Sequence, residues 1–466
     1  MTIWHPDIDS RPRPRYLAIA AALAEDIERG GLEPGQRLPT HRDLAYRLGV
    51  TVGTVSRAYA EAGRRGLIAG EVGRGTFVRG PKEAGPGLAA LFQQASDEDR
   101  RELIDLSLNL PALGDQVEVL ATALAGLARS ATLPELLFYQ PEAGRPAHRA
   151  AAAEWLGRWV ATATPERVIV TCGAQHAIAV VLSALTSPGD VVLTESLTWT
   201  GVKALASLMH LKLEGVAIDH DGLVPEALEA ACMSSAARVL YCMPTLHNPT
   251  ASIMPAARRA EIVEIARRYD LAIIEDDVYS HLPTAAPAPL SSLAPERSYY
   301  LTSASKSLAP GLRVGFLLAP EEMVERVAAG VRATTIIAPT LPAEIVATWI
   351  TDGTAERQIE WQRREATARQ AIAAATLGAA TRHGHTCCHL WLELPAPWRA
   401  RDFADRARER GVLVTPADLF MAGRSPAPHA VRVTLGAVRD RGRLEKGLAI
   451  LAEMLEARPT PRLSIV

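Results

Sequence analysis

The first eighty residues carry apolar side chains at the spacing of short α-helices, with glycines between the helical stretches. One stretch covers residues 14–30, and its apolar face would consist of Tyr16, Leu17, Ala20, Leu23, Ala24 and Ile27. Two shorter helical stretches follow, and each begins at a hydroxyl residue suited to cap it, Thr40 and Thr51. Residues 67–80, "LIAGEVGRGTFVRG", pair two short apolar runs around a glycine-rich turn, which predicts a β-hairpin.

Three short helices followed by a hairpin form the order of a winged helix-turn-helix. Residues 1–80 hold twelve arginines, no lysine and nine carboxylates, a mildly basic balance in a chain of net charge −2. We expect the third helix to lie in the major groove of double-stranded DNA, with contacts from Thr51, Thr54, Ser56 and Arg57. Arg42 and Arg74 are expected to hold the DNA backbone. The alternative is a protein-docking domain with a solvated arginine face, but turn chemistry, helix spacing and charge agree on DNA.

The segment "LPTHRDLAYRLGVTVGTVSRAYAEAGRRGLIAGEVGRGTFV" closely resembles the winged-helix signature of GntR-type regulators. Thr40 stands where that signature usually has a serine, and threonine caps a helix equally well. The resemblance implies that residues 1–79 form a DNA-binding domain whose partner is a double-stranded operator.

The composition changes after the hairpin. Residues 80–103 mix glycine, proline and charge, which is typical of a linker. Over residues 104–466, apolar runs such as "RVIVT" and "LAIIE" alternate with amphipathic stretches such as residues 175–185 and 256–269. The alternation predicts an α/β fold with a mostly parallel central sheet, a large subdomain at about 145–335 and a small subdomain from the remainder. The dinucleotide fingerprint and the Walker phosphate loop do not occur in the sequence, so no motif supports a nicotinamide or nucleoside triphosphate site.

The predicted strands end in polar groups, and one of these groups is a lone lysine. Lys306 lies among small and hydroxylic residues in "LTSASKSLAPGLRVGF". A lysine ammonium is expensive to bury, so this residue either reaches water or has a chemical role. Ligands of an open α/β sheet lie at the carboxyl ends of the strands. The other strand ends offer Ala174 and Gln175 after Gly173, Asn248 in "NPT", Asp276 with Tyr279, and Ser303, Ser305 and Arg313 around the lysine.

Together these groups meet the needs of pyridoxal 5′-phosphate (PLP). Lys306 would bind the aldehyde covalently, and Asp276 would keep the ring nitrogen protonated. Asn248 and Tyr279 would hydrogen-bond the ring oxygen. The phosphate would be held by the amides of Ala174 and Gln175 at a helix start and by Ser303, Ser305 and Arg313.

The order of G-A-Q, N-P-T, E-D-D-V-Y and S-x-S-K-x-x-x-P-G-L-R resembles fold-type I aminotransferases. With the front domain, nearly the whole chain resembles the MocR-type subgroup of GntR regulators. The resemblance implies further roles: Trp199 stacked on the pyridine ring, Tyr139 reaching the partner subunit's phosphate, Arg432 clamping an effector carboxylate and Asn109 lining the effector pocket. A core position is the alternative for Trp199. The resemblance also implies a homodimer, often head to tail, and Ala251 replaces the family's glycine after N-P-T.

These features predict a PLP-dependent transcriptional regulator that senses a small amine, an amino acid or PLP itself. One alternative is an active aminotransferase that carries a DNA-binding domain, since Lys306, Asp276 and Arg432 are all retained. Another is a regulator whose large domain is a dimerisation scaffold without cofactor. Activation and repression are equally compatible with the sequence.

The cysteines and the apolar runs bear on compartment and metal binding. The five cysteines lack disulfide-framework spacing, and the chain shows neither a signal-peptide pattern nor a run of about eighteen apolar residues. We therefore expect a cytoplasmic protein without membrane contact. Residues 383–389, "HGHTCCH", would be an ordinary strand with histidines at its solvent edge, because adjacent cysteines on a strand point to opposite faces. No metal site is expected there.

Overall fold

The computed structural model describes residues 4, 6, 8, 14–29, 31–32, 36–64, 67–71, 75–78, 103–378, 385–423 and 426–457. The chain divides into two compact units, residues 1–90 and 91–466. The linker predicted over residues 80–103 lies outside the described residues except at its last position.

In its described residues, the first unit contains three helices and one hairpin. Its elements are α1 (Arg15–Glu28), α2 (His41–Leu48), α3 (Val52–Arg64), β1 (Ile68–Glu71) and β2 (Gly75–Val78). The strands pair antiparallel, with Ile68 opposite Val78. The winged helix-turn-helix order predicted from the sequence is therefore confirmed.

Local hydrogen bonds set the bounds of α2 and α3. The Thr40 side chain accepts a hydrogen bond from the Asp43 amide, and Gly49 ends α2 in the left-handed conformation at φ 59°. The Thr51 hydroxyl accepts from the Thr54 amide at 3.2 Å and caps α3. Both capping predictions are confirmed, because each cap depends only on residues three positions apart.

The second unit contains the remaining elements. Its first half comprises β3 (Ile104–Asp105), α4 (Gln116–Leu127), α5 (Pro146–Leu156), β4 (Val168–Thr171), α6 (Ala174–Leu185), β5 (Val191–Glu195), α7 (Thr200–Leu208), β6 (Lys212–Val216), β7 (Ile218–Asp219), β8 (Gly222–Leu223), α8 (Pro225–Ser234) and β9 (Val239–Cys242). Its second half comprises α9 (Ala256–Arg268), β10 (Ala272–Asp276), α10 (Leu290–Leu293), β11 (Ser298–Ser303), α11 (Ala304–Ser307), β12 (Gly315–Leu318), α12 (Val324–Thr335), α13 (Thr340–Thr351), α14 (Thr354–Leu377), β13 (His389–Glu393), α15 (Ala400–Glu409), β14 (Val412–Leu413), β15 (Thr415–Pro416), β16 (Ala430–Thr434) and α16 (Arg441–Glu456).

A seven-stranded sheet forms the centre of this unit, in the order β4-β12-β11-β10-β9-β5-β6. Strand β12 is antiparallel to both of its neighbours, and the other pairs are parallel. The mostly parallel α/β fold is confirmed. The edge strand β6 was missed because its exposed Lys212 and half-buried Glu214 interrupt the apolar pattern.

Helices cover both faces of the sheet, so successive residues of one strand enter different cores. In β4, Ile169 packs with the core that includes α6 and α12, whereas Val168 and Val170 pack with the core that includes α5 and α13. This two-sided burial explains why the central strands are continuous apolar runs. Each run places its last, polar residues at one edge of the sheet.

A smaller three-stranded antiparallel sheet, β13-β16-β15, packs against α14, α15 and α16. The short strand β14 pairs in parallel with β3, which brings residue 104 beside residue 412. Residues near position 107 therefore meet residues near position 432. Among the described residues, no helix combines the length and apolar character that crossing a lipid bilayer requires.

Candidate functional site

Lys306 lies in the short helix α11, directly after β11. Its side chain is half-buried, and its Nζ donates a hydrogen bond to the backbone carbonyl of Asn109. Burial lowers the pKa of Lys306, and nearby Arg432 acts in the same direction, although Cys388 and Asp276 oppose the shift. The amine therefore loses its proton more readily than a solvated lysine does.

Asp276 is the last residue of β10 and is buried. The Tyr241 hydroxyl donates to its Oδ2 at 2.7 Å, but its Oδ1 has no hydrogen-bond partner within the described part of the chain. Burial raises the pKa of Asp276 to about 6, against the opposing hydrogen bond from Tyr241. A buried carboxyl oxygen without a partner is costly, so a donor from a bound group would fit this position. The protonated ring nitrogen of PLP is such a donor.

Two predicted ring-oxygen ligands, Tyr279 and Asn248, are also buried. The Asn109 side-chain amide donates to the Tyr279 hydroxyl at 2.8 Å, and Arg432 donates to Asn248 Oδ1 at 2.8 Å. Because Asn109 also accepts from Lys306, one loop residue links the lysine to the tyrosine. The structure thus brings Asn109, Tyr279 and Lys306 together.

Arg432, on β16, is a buried cation with neutral neighbours. Besides Asn248, its guanidinium donates to the Ser107 carbonyl at 2.7 Å and lies 4.8 Å from the centre of the Phe420 ring. In the described residues no carboxylate pairs with it, and its Nε has no partner. Burial lowers the pKa of Arg432 to about 10. A carboxylate ligand would compensate this charge.

The N-terminus of α6 meets Arg313. Gly173 precedes the helix at φ 81° and offers no side-chain cap to its first amides, which belong to Ala174 and Gln175. At this φ any side chain is strained, and a Cβ at Gly173 would lie 2.7 Å from a guanidinium nitrogen of Arg313, so glycine suits this approach. The first amides of α6 and a cation therefore lie close together, as phosphate binding requires.

The predicted serines lie at the same place. Arg313 donates to Ser305 Oγ at 3.3 Å and to the Cys172 carbonyl at 3.2 Å. The Ser303 hydroxyl accepts from the Ser305 amide at 3.4 Å. The residues expected around a phosphate are thus neighbours in the fold.

Two of the predicted residues have no hydrogen bond or ion pair with this group in the described part of the chain, although Trp199 packs against the core that contains Tyr279. Trp199 is half-buried before α7, and its ring lies against Gly201. Tyr139 is 79% exposed in the loop before α5. Their roles remain predictions, and that of Tyr139 requires a second subunit.

Sequence reasoning missed some residues of the site. Tyr241, which holds Asp276, has one visible signal, a phenol within the apolar run of β9. Ser107 and Phe420, which contact Arg432, have none, because their approach depends on the pairing of β3 with β14 and on the packing around β16.

The expectation for "HGHTCCH" was wrong in two respects. Strand β13 begins at His389, so Cys387 and Cys388 precede it and do not alternate between faces. His389 is fully buried instead of lying at a solvent edge, whereas His385 is exposed and His383 lies outside the described residues. The ligand atoms of the two thiols and of His389 lie within 4.8 Å of one another.

Except for Arg74, the residues predicted to contact DNA occupy α2, α3 and the residue that caps α3. Arg42 and Arg57 are exposed, and the Arg57 guanidinium lies 4.9 Å from the centre of the Tyr16 ring. The hydroxyl side chains of this set form hydrogen bonds with neighbours. Thr51 Oγ1 lies 2.9 Å from Thr54 Oγ1, and Ser56 Oγ lies 3.1 Å from His41 Nδ1. Arg74 lies outside the described residues.

Comparison with known proteins agrees with this two-part organisation. The family model "Aminotransferase class I and II" matches residues 101–451, and the model "Bacterial regulatory proteins, gntR family" matches residues 15–78. The chain is 32% identical over 462 residues to the HTH-type transcriptional regulator YdeF of Bacillus subtilis (strain 168), with 97% of each chain covered.

Solved structures match most of the chain. LysN, an α-aminoadipate aminotransferase from Thermus thermophilus, gives a TM-score of 0.69 at 27% identity, covering 79% of this chain and 97% of its own. An archaeal alanine:glyoxylate aminotransferase gives a TM-score of 0.72 at 24% identity, covering 85% of this chain and 99% of its own, which shows the fold. The class I and II aminotransferase fold implies dependence on PLP. The chain therefore belongs to the GntR-type transcriptional regulators that carry an aminotransferase domain, the MocR-type architecture.

Proposed function

We propose that this regulator binds PLP at Lys306 and senses an amino acid or a related small amine at the same site. The observation that supports this most directly is a pair of buried atoms without partners in the described residues, Asp276 Oδ1 and Arg432 Nε. The first suits the protonated ring nitrogen of PLP, and the second, with its uncompensated cation, suits a carboxylate.

Each group around Lys306 has a task that its position supports. PLP, when bound, supplies an aldehyde that reacts with amines and a ring that withdraws electrons. Asp276 would hold a proton on the ring nitrogen, and Tyr241 would keep Asp276 in place through its 2.7 Å hydrogen bond. Asn248 and Tyr279 would orient the ring oxygen, and Trp199 would cover one face of the ring.

The opposite end of the cofactor would be held by the phosphate-binding residues. These are the amides of Ala174 and Gln175, the hydroxyls of Ser303 and Ser305, and the Arg313 guanidinium. The N-terminus of a helix and a guanidinium both favour a dianion, and together they would fix its position and charge.

Arg432 indicates the chemical class of the effector. A guanidinium can grip a carboxylate through two parallel hydrogen bonds, so an α-amino acid would be bound at both its amine and its carboxylate. The Asn109 carbonyl would accept a hydrogen bond from Lys306 whenever its Nζ is not bound to the cofactor. LysN, whose structure contains N-(5'-phosphopyridoxyl)-L-leucine, offers a parallel at 27% identity.

The response would pass to DNA through a homodimer, of which a head-to-tail arrangement is one form. Leu137, Phe138 and Tyr139 are each more than 70% exposed, an unusual state for adjacent large apolar side chains. A second subunit would cover them and place Tyr139 near its phosphate. The α3 residues Arg57 and Thr54, with Arg42 of α2, would contact the operator.

The absorption spectrum tests the cofactor assignment. Protein purified with added PLP should show the pyridoxal absorption band, and borohydride reduction should leave a covalent pyridoxyl label at residue 306 in the mass spectrum. Lys306→Ala should abolish both. Lys203→Ala is a matched control, because Lys203 is also half-buried and its Nζ donates to a carbonyl, that of Leu419. A colourless wild-type protein without label would contradict the proposal and favour the scaffold alternative.

The second candidate function, an active aminotransferase with a DNA-binding domain, draws on one observation. Burial lowers the pKa of Lys306, and Asp276 and Arg432 lie in the same site, so the groups for proton transfer and carboxylate binding are present. Multiple-turnover assays with amino acids and a keto acid separate the candidates. Sustained turnover without DNA affinity would favour the enzyme over the regulator.

A further inference from the structure

Next to Lys306 lies a buried cluster of two thiols and one imidazole. Cys387, Cys388 and His389 are each less than one-tenth exposed, and all the cysteines of the chain are free thiols. We propose that these three residues bind a thiophilic divalent metal ion, of which Zn²⁺ has the best chemical fit. None of the three is among the residues proposed to hold PLP, although Cys388 and His389 contact Asn109, which is expected to line the effector pocket.

The spacing of the ligand atoms suits such an ion. His389 Nδ1 lies 3.3 Å from Cys387 Sγ and 3.9 Å from Cys388 Sγ. Tetrahedral zinc with bonds of about 2.3 Å to sulfur and about 2.0 Å to nitrogen separates its ligand atoms by roughly 3.5–3.8 Å. The two observed nitrogen–sulfur distances lie on either side of this value, and the two sulfur atoms lie within 4.8 Å of each other.

The orientation of His389 is fixed from outside the cluster. Its Nε2 lies 3.2 Å from the backbone carbonyl of His247, and a carbonyl can only accept, so Nε2 carries the proton. Nδ1 is therefore the unprotonated nitrogen, and it lies within 3.9 Å of both sulfur atoms. The Asn109 side-chain amide also donates to Nδ1 at 3.3 Å, so a bound ion would replace this hydrogen bond. A backbone carbonyl that orients a ligating imidazole is a recurrent feature of metal sites.

Charge determines the class of ion. Two thiolates and a neutral imidazole around a divalent cation give a cluster of zero net charge, which a buried site tolerates at the lowest cost. Thiolate ligands select soft or borderline ions over magnesium and calcium. Asn109 Oδ1, 3.1 Å from Cys388 Sγ, is close enough to serve as a fourth ligand or to hydrogen-bond one.

The experiment uses the full-length, tag-free protein, stripped with a chelator under reducing conditions. Titration with Zn²⁺ against a coloured competing chelator should show one tightly bound ion per chain. Co²⁺ should give visible d–d absorption at longer wavelength than the pyridoxal band. The Cys387→Ser/Cys388→Ser double variant should lose affinity on the order of a hundredfold, and His389→Ala should lose the cobalt spectrum.

Two controls separate loss of the site from loss of the fold. Cys232→Ser/Cys242→Ser removes two other buried thiols and should bind Zn²⁺ as the wild type does. Lys306→Ala should keep full metal affinity while it loses the pyridoxal band, so failure of one proposal is distinguishable from failure of the other. Three results would overturn the metal site: a wild type that takes up no metal, a double variant that binds as tightly as the wild type, or a Cys387–Cys388 disulfide in place of metal binding.

Discussion

The side chains expected to touch DNA and those expected to hold PLP and the effector differ in exposure and in their distance along the chain. Arg42 and Arg57 are exposed and fifteen positions apart, and short-range caps position the helices that carry them. Asn109, Asp276 and Arg432 come from three distant segments of the second unit, and Asp276 and Arg432 are buried. The arginines expected to touch DNA therefore carry charges that water solvates, whereas Asp276 and Arg432 carry charges that burial removes from water.

This difference determines how much a single substitution should change. Exposed charges are screened by water and salt, so each contributes little, and binding to DNA is shared among many contacts. Buried charges have shifted pKa values, because the protein replaces water incompletely. We therefore expect large effects in the second unit and smaller, salt-dependent effects in the first.

The largest effect concerns Asp276 and pH. Burial raises its pKa from 3.8 to about 6, so the cofactor-free folded state disfavours the ionised carboxyl. The resulting loss of unfolding free energy is absent below about pH 4 and grows as pH rises to about 6. Above that pH it stays constant at about 3 kcal/mol. Without PLP, Asp276→Asn should therefore unfold at higher urea concentration than the wild type at pH 8 but not at pH 4.

The same substitution should weaken PLP binding on the order of a hundredfold, because an amide cannot hold the proton on the ring nitrogen. Asp277→Asn is the control: burial raises the pKa of Asp277 to about 8, so an amide resembles its protonated form. Equal losses of PLP in both variants, or a stability gain of Asp276→Asn that is the same at both pH values, would contradict the role of Asp276.

The effector end gives the next effect. Arg432→Lys should weaken amino-acid binding about thirtyfold, roughly 2 kcal/mol, because an ammonium cannot form the paired hydrogen bonds of a guanidinium. The change in the pyridoxal absorption on titration measures it. The matching decarboxylated amine should bind wild type and variant alike; if its binding falls as much, Arg432 does not read the carboxylate.

A smaller effect is expected in the first unit. Arg57→Ala should weaken binding to a DNA duplex taken from upstream of the gene that encodes this chain about tenfold. It should also reduce the slope of log affinity against log salt concentration by about one. Arg29→Ala is the control, since Arg29 is exposed after α1 and paired with Glu25. The pyridoxal spectrum should not change. An altered spectrum, or equal effects of both variants, would break the comparison between the units.

The smallest effects concern the left-handed backbone conformation at one residue of each unit. Gly49 at φ 59° has nothing within 4 Å of a built Cβ, so Gly49→Ala should cost about 1 kcal/mol of unfolding free energy. Ala251 adopts φ 60° and is buried. In Ala251→Gly, the relief of about 1 kcal/mol of backbone strain should nearly cancel the loss of about 0.8 kcal/mol from the buried methyl group. Urea unfolding of each variant against wild type measures both, and a clear change for Ala251→Gly would show that one of these opposing terms dominates.

Some of the site followed from order along the chain. Parallel strands end at one edge of a sheet, so Asp276 and Lys306 could be assigned to one place before any contact was known. The hydrogen bond from Arg432 to the Ser107 carbonyl could not be predicted in this way, because it depends on β3 pairing with β14 across about three hundred residues.

By itself, the sequence determined the elements whose bonds are short in range: the caps at Thr40 and Thr51, the hairpin, and the central strands. Only the tertiary structure decided that Asn109 converges with Lys306, Tyr279 and Cys388, and that the adjacent residues Cys387, Cys388 and His389 are buried. Capping energy is a function of neighbours along the chain, whereas convergence depends on packing between segments that share no local pattern.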